Sequence, residues 1–490
     1  MCYTHKGTMK NRRYAIILIS VIMCALLAGF ASLAAATTHY VSTTVELEAA
    51  FQNAADGDTI SVAAGTYYPQ DILKIGDRSL SIIGAGSGST IIDGTRVANQ
   101  GKDYLLGRND TSEGVVDYIG IAGLTVRNYE TEGIEVGKTR TLDLSDVVAR
   151  GCDDGFHIYV NGVDDARVTI ISCTAYMNGN DGFLIMVENA ASVSVTIGGC
   201  RSYGNVDDGI QIDIENAASA AVTIESCLLH DNDDHGLSMP VIASDAASVA
   251  VEGCHAYGNK DAGFYFDTED SSEVSVRYDR CIASDNAEEG FDVNATASPV
   301  FSLALVNALS YGNAYGIALD LDGSPDNGLS DTDGTISVTN GTVYGNEYGL
   351  EVSSPSATGI FVTNGIFWDN GTEISVVAGT ITVTYCDIQD GYPGTGNIDA
   401  DPLFVAAPTD FSLSQDSPCI NAGMNASAGR YGGVTNDILG VPRPQLAGYD
   451  MGAYEYDGAW LPDLNPPTVH PWLAFVITQW ENYLDMLRGS

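Results

Sequence analysis

The chain has 490 residues, of which 17% are charged and 45% hydrophobic, ample for a large core. Its 64 acidic residues against 21 basic ones give a formal charge of −43. Such a surface repels nucleic acid and anionic lipid and argues against both as partners. It suits a chain kept soluble by charge, one that binds cations, or one from a salty medium.

Residues 1–36 read as a secretory signal peptide. Lys10, Arg12 and Arg13 form a basic start, residues 15–31 are mostly apolar, and Ala34, Ala35 and Ala36 offer a small-residue cleavage site. A membrane anchor is the rival reading. Cleavage is preferred because a strand pattern begins directly after Ala36. Four basic residues and no acid lie in this segment, so the mature chain carries 17 basic against 64 acidic residues, a charge of −47. The expectation is a secreted protein, extracellular or at the cell surface, with no stable membrane span.

Residues 37–78 read as an N-terminal cap and first coil. A strand at Tyr40 and Val41 precedes a short helix near residues 45–54, whose Leu47, Phe51 and Ala54 share one apolar face. Thr43 or Thr44 is placed to cap it. Strand patterns at 58–62 and at Gly65, Thr66 and Tyr67 follow. This order resembles the opening of secreted pectin-lyase-like β-helix proteins. The resemblance implies that the helix plugs the open end of a coil stack, where unpaired edges and core side chains would otherwise be bare.

Residues 79–398 read as the body of the solenoid, irregular to about residue 140 and regular over 146–313. Cys173, Cys200, Cys227, Cys254 and Cys281 stand 27 residues apart. Asn178, Asn205, Asn232, Asn259, Asn286 and Asn313 keep the same step, as do Gly155, Gly182, Gly209, Gly236, Gly263 and Gly290. A fixed period of this size marks a solenoid. Apolar residues alternate before each Cys and after each Gly, the period of a strand with one buried face. Gly, Asn and Asp fill the turns. The predicted fold is all-β: a right-handed parallel β-helix of about a dozen coils, with an N-terminal helical cap and a C-terminal cap. The cysteines are expected as inward thiols, the asparagines as left-handed turn residues bonding the next coil, and the glycines at positive φ.

Past Asn313 the period loosens. Residues 322–334 form an Asp- and Gly-rich insertion, read as a surface loop without the ordered ligand spacing of an EF-hand. Residues 399–457 carry Asp401-Pro402-Leu403-Phe404, Ser417-Pro418-Cys419-Ile420, Gly440-Val441-Pro442-Arg443-Pro444 and Asp450-Met451-Gly452-Ala453-Tyr454-Glu455. This run resembles the C-terminal region of choice-of-anchor surface proteins and reads as the last coils and a cap. A Cys386–Cys419 disulfide is compatible with export. Residues 458–490 read as a Pro-rich linker and an amphipathic tail helix. Trp472, Phe475, Val476, Trp480, Tyr483, Leu484 and Leu487 fall at helical spacing. The tail is too short and polar to span a membrane. It reads as a helix docked on the cap or as an interfacial, partner-binding one.

Ahead of the Gly ladder runs a stripe of acids: Asp153-Asp154, Asp181, Asp207-Asp208, Asp233-Asp234 with His235, Asp261 beside Lys260, and Glu288-Glu289. Stacked at about 5 Å, carboxylates repel unless protonated, spread or bridged by a cation. Solvated turn chemistry is one reading and a calcium site the other, with Asp207, Asp208, Asp233 and Asp234 as metal ligands. His157, Gln211, Asp213, Tyr265 and Asp267, on outward positions of the adjoining strand, are candidates for substrate binding. Tyr176, Tyr203, Tyr257 and Tyr311 form a further aromatic row, with His230 in register.

The order Asp181, Asp207-Asp208, His235-Gly236 resembles inverting polygalacturonases. That resemblance implies Asp207 as general acid, Asp181 and Asp208 as activators of water, and His235 as a tuner of the acid. The chain departs from the family pattern at Asn180 and Asp234 and lacks the basic Arg-Ile-Lys segment. The acids together with Lys260 also have the composition of calcium-dependent polysaccharide lyases, in which a Lys or Arg is the base. The functional expectation is an exported protein that binds or processes extracellular polysaccharide, with calcium as candidate cofactor. The alternatives are a hydrolase or lyase using the acid stripe, and a non-catalytic surface or adhesion protein. The oligomeric state is left open.

Overall fold

The computed structural model describes residues 36–98, 104–108, 114–321, 335–427 and 433–458. Residues 1–35, where a signal peptide is expected, the 322–334 insertion and the residues from 459 on lie outside the described residues. The described chain is an all-β parallel solenoid of about 11 turns.

Each regular coil contributes three strands. In one coil these are Phe183–Glu188, Val193–Gly198 and Arg201–Tyr203; in the next, Ile210–Glu215, Ala220–Glu225 and Leu228–His230. Every strand pairs in parallel with its counterpart 27 residues on, Phe183 with Ile210 and Val195 with Val222. Inward residues of all coils merge into one continuous core. That core is why a single coil has no stability alone: its apolar face is covered only by its neighbours.

The ladders take their meaning from these contacts. The five cysteines are buried free thiols, as read. Each Asn side chain donates to the next, from Asn178 Nδ2 to Asn205 Oδ1 and onward to Asn313, at 2.9–3.0 Å. The left-handed residue is the one before it, Met177, Gly204, Asp231, Gly258, Asp285 or Gly312. The glycine ladder corrects an expectation. Gly155 through Gly290 do not adopt positive φ. They are glycine because a Cβ at Gly209 would meet Gly236 O at 2.5 Å and Asn232 Nδ2 at 2.8 Å.

The N-terminal end is closed by α1 (Thr44–Asn53). Thr43 and Glu46 form a capping box, and Leu47, Ala50 and Phe51 are buried against the first coils. Towards the C-terminus the chain does not simply add coils. Strands Phe404–Ala406 and Asp410–Leu413 make an antiparallel hairpin. Phe411 packs on Tyr311 and Tyr344 of the solenoid flank. Arg443 and Glu455, both fully buried, pair at 3.0 Å in this region. Cys386 and Cys419 are not bridged. Cys419 Sγ instead donates to Asp387 Oδ2 at 3.0 Å. Among the described residues no helix is long and apolar enough to cross a membrane.

Candidate functional site

The acid turns sit where the third strand of one coil hands over to the first strand of the next. Their inner members form a hydrogen-bonded column. Asp154 Oδ1 accepts from the Asp181 N–H at 3.1 Å, Asp181 Oδ1 from Asp208 at 3.0 Å, and Asp208 Oδ1 from His235 at 2.9 Å. His235 Nδ1 then accepts from the Ala262 N–H at 3.2 Å. Each buried side chain thus spends one acceptor on the next coil's backbone, which would otherwise be an unpaired donor.

The second oxygens are left for other work. Oxygens of Asp181, Asp207 and Asp208 come within 4.8 Å of one another, and so do ligand atoms of Asp208, Asp234 and His235. Asp181 and Asp208 are almost fully buried, at 1% and 5% exposure, while Asp207 is only half-buried. Burial pushes the Asp181 carboxyl up to about 8, with Asp208, Asp154 and Asp207 adding repulsion. Burial also lifts Asp208 to about 8, opposed by the His235 N–H and aided by Asp234 and Asp207. Asp234 rises to about 6 through burial and the carboxylates of Asp207 and Asp261. His235 is held down by burial against the pull of Asp261 and Asp207. The three carboxylates of Asp181, Asp207 and Asp208, mutually repelling and with oxygens within 4.8 Å of one another, fit a hard divalent cation.

The expected metal set is divided by the 27-residue register. Asp207 aligns with Asp234, and Asp208 with His235, so Asp233 stands one residue outside the cluster. Asp233 is exposed and pairs with Lys260 at 2.6 Å. Lys260 itself is exposed on that turn and does not join the acids of Asp181, Asp207 and Asp208.

The substrate-binding candidates all lie on the outer face of the first sheet. His157, Leu184, Gln211, Ser238, Tyr265 and Asp292 pair in one row. Asp213 and Asp267 stand two residues further along their strands. Gln211 Nε2 donates to Asp213 at 3.0 Å. The Tyr265 ring stacks on His235 with centroids 4.7 Å apart, joining this row to the acid column. Burial raises the carboxyls of Asp213 and Asp267.

One residue escaped the sequence reading. Glu132 joins Asp154 and His157 in a third group of convergent ligand atoms. His157 Nδ1 is buried without a hydrogen-bond partner and stands 3.6 Å from Asp154 and 3.9 Å from Glu132. Burial alone would lower His157, but Glu132, Asp154 and Glu135 outweigh it and raise its pKa. Glu132 precedes the regular period, and only its place one position before Gly133, matching Asp154 before Gly155, signals the equivalence.

Among solved structures, the pectate lyase Pel9A is 16% identical over 86% of this chain and 97% of that chain, at a TM-score of 0.41. The A-module of the Azotobacter vinelandii mannuronan C-5 epimerase AlgE4 is 15% identical over 74% and 96%, at 0.38. The N-terminal fragment of bacteriophage Phi29 gene product 12 is 15% identical over 78% and 74%, at 0.46. No curated protein matches the chain. Residues 31–327 match the Pel9A-like, right-handed beta helix region, and the chain belongs to that family.

Proposed function

We propose that this protein binds an acidic polysaccharide along the outward row of the first sheet, through a divalent cation, calcium by its chemistry, held by Asp181, Asp207 and Asp208. The observation that carries the reading is the convergence of these three carboxylates, two of them buried and pushed up to about 8. A cation there neutralises the cluster, and because Asp207 is only half-buried it keeps open positions for a uronate carboxylate. Gln211 and Tyr265 flank that opening with a hydrogen-bonding amide and a phenol. Membership of a family named for a pectate lyase supports polysaccharide as the ligand class. The basic and apolar start of the chain supports export to the cell exterior or surface.

Binding is favoured over elimination by one feature. The outward row from His157 to Asp292 contains no Lys or Arg, and Lys260 is paired with Asp233, which leaves elimination without the expected base. The test is a glycan screen of the mature chain, with calcium and with chelator, read for retention and for product. Retention of a uronate polymer in calcium, lost in chelator, is the expected result. Reducing ends or unsaturated uronate that vanish in both Asp181→Asn and Asp208→Asn would replace binding by catalysis. No retention of any polymer would sink the reading.

A further inference from the structure

Three side chains from two adjacent coils meet just before the Asp181 cluster. Glu132 opens strand Glu132–Gly137, Asp154 lies in the turn ahead of strand Phe156–Asn161, and His157 is the second residue of that strand. Parallel pairing of Ile134 with Phe156 and of Glu135 with His157 fixes their relative positions. The Asp154 side chain is only 6% exposed, and its direction is set from the next coil. Its Oδ1 accepts from Asn180 Nδ2 at 2.9 Å and from the Asp181 N–H at 3.1 Å. Its Oδ2 stands 3.6 Å from His157 Nδ1, and Glu132 Oε1 stands 3.9 Å from the same nitrogen. That nitrogen is sealed from solvent and has no hydrogen-bond partner. Other histidines of this chain close directly on a carboxylate, His39 on Asp58 at 2.8 Å and His230 on Asp231 at 2.7 Å.

We infer that Glu132, Asp154 and His157 hold a divalent transition ion of the zinc type. One imidazole nitrogen and two carboxylate oxygens are donors that such an ion takes, whereas the oxygen-only cluster of Asp181, Asp207 and Asp208 suits calcium. Separations of 3.6 and 3.9 Å are too long for hydrogen bonds. They lie close to the edge of a coordination tetrahedron, about 3.3–3.6 Å for ligands about 2.0–2.2 Å from the ion. The bonds that Asn180 and Asp181 make to Asp154 are the outer support that orients a metal-binding carboxylate. His235 shows what excludes the neighbouring group of Asp208, Asp234 and His235. Its Nδ1 accepts from the Ala262 N–H, so a neutral ring carries its proton on Nε2 and has no lone pair left for an ion. His157 Nδ1 has no such bond. Glu135, the register partner of His157, adds negative charge beside it. The Glu132 and His157 side chains are 21% and 23% exposed, which gives the ion an entry from the outer face and room to keep a water there. This set shares no residue with the proposed calcium ligands, so either assignment can fail without the other.

The test is calorimetric titration of the metal-free mature chain with zinc, in excess calcium so that the oxygen-only cluster is occupied. Cobalt(II) in place of zinc gives a second readout, a visible ligand-field band that reports nitrogen and oxygen ligation. One zinc per chain is expected. His157→Ala and the volume-conserving Glu132→Gln should each weaken it by about tenfold or more and abolish the cobalt band, with the fold intact by circular dichroism. Asp207→Asn should bind zinc as the wild type does. No zinc bound in calcium would overturn the proposal. So would affinity unchanged in both His157→Ala and Glu132→Gln, or zinc lost in Asp207→Asn instead, which would move the ion to the acid cluster.

Discussion

His235 occupies an aspartate's rung: its backbone N–H donates to Asp208 Oδ1 at 2.9 Å, in the bond by which Asp208 itself holds to Asp181. With Nδ1 accepting from Ala262, the His235 ring serves the column as a neutral acceptor. The column needs an acceptor atom at each rung and has no need of a negative charge there. This separates the structural duty of the acids from their capacity to hold a cation.

Asp208→Asn and Asp181→Asn keep the accepting oxygen and remove a carboxyl that resists ionisation. Without calcium at pH 8 each variant should therefore melt above the wild type, by a few degrees, on the order of 1–3 kcal/mol. The same variants should lose most of the stabilisation that calcium gives the wild type. Thermal melts in calcium and in chelator check both halves. A lower melting temperature in chelator would mean that the charge itself holds the column.

The pH dependence has a definite sign. Asp181 and Asp208 have folded pKa values raised to about 8, above the ordinary carboxyl value. Folding therefore favours their protonated forms, and this contribution is complete below about pH 4, where both states are protonated. It declines as pH rises and is gone above about pH 8. In chelator, stability should fall across that window. In calcium the slope should flatten, because the bound ion replaces the protons it releases. Denaturant melts at several pH values, with and without the ion, measure the difference.

The close approach of coils sets the cost at the ladders. Gly209→Ala drives a methyl against Gly236 O and Asn232 Nδ2 and should cost about 1–3 kcal/mol. Asn232→Ala removes the acceptor used by Asn205 and the donor that reaches Asn259, all of them buried. About 2–4 kcal/mol is expected there, from the unpaired groups left behind. Equilibrium denaturation, with folding confirmed by circular dichroism, reads both losses.

Lys260 offers the opposite case. Its ion pair with Asp233 is exposed on both sides, so Lys260→Ala should change stability by less than about 1 kcal/mol. Glycan retention in calcium should also be unchanged, as measured by affinity electrophoresis. A loss of binding or of product with the fold intact would return Lys260 to the site.

The solenoid, its inward thiols, the Asn amide ladder and the stripe of turn acids follow from the repeat alone. A 27-residue step repeated over six coils puts like residues at like places, and stacking then follows from backbone pairing. The tertiary structure decided what each turn residue does. Asp207 and Asp208 are neighbours in one turn, yet one is only half-buried and the other is buried under the His235 N–H. Nothing local distinguishes them, because the direction of each side chain is set by a contact 27 residues away. The same long-range contact turned the ladder glycines from a matter of φ into one of space, and moved Asp233 out of the cluster that Asp234 enters. The C-terminal hairpin on Tyr311 and Tyr344 lay beyond the reading for a related reason. It has no repeat, and only the apolar flank of distant coils gives it a place to pack.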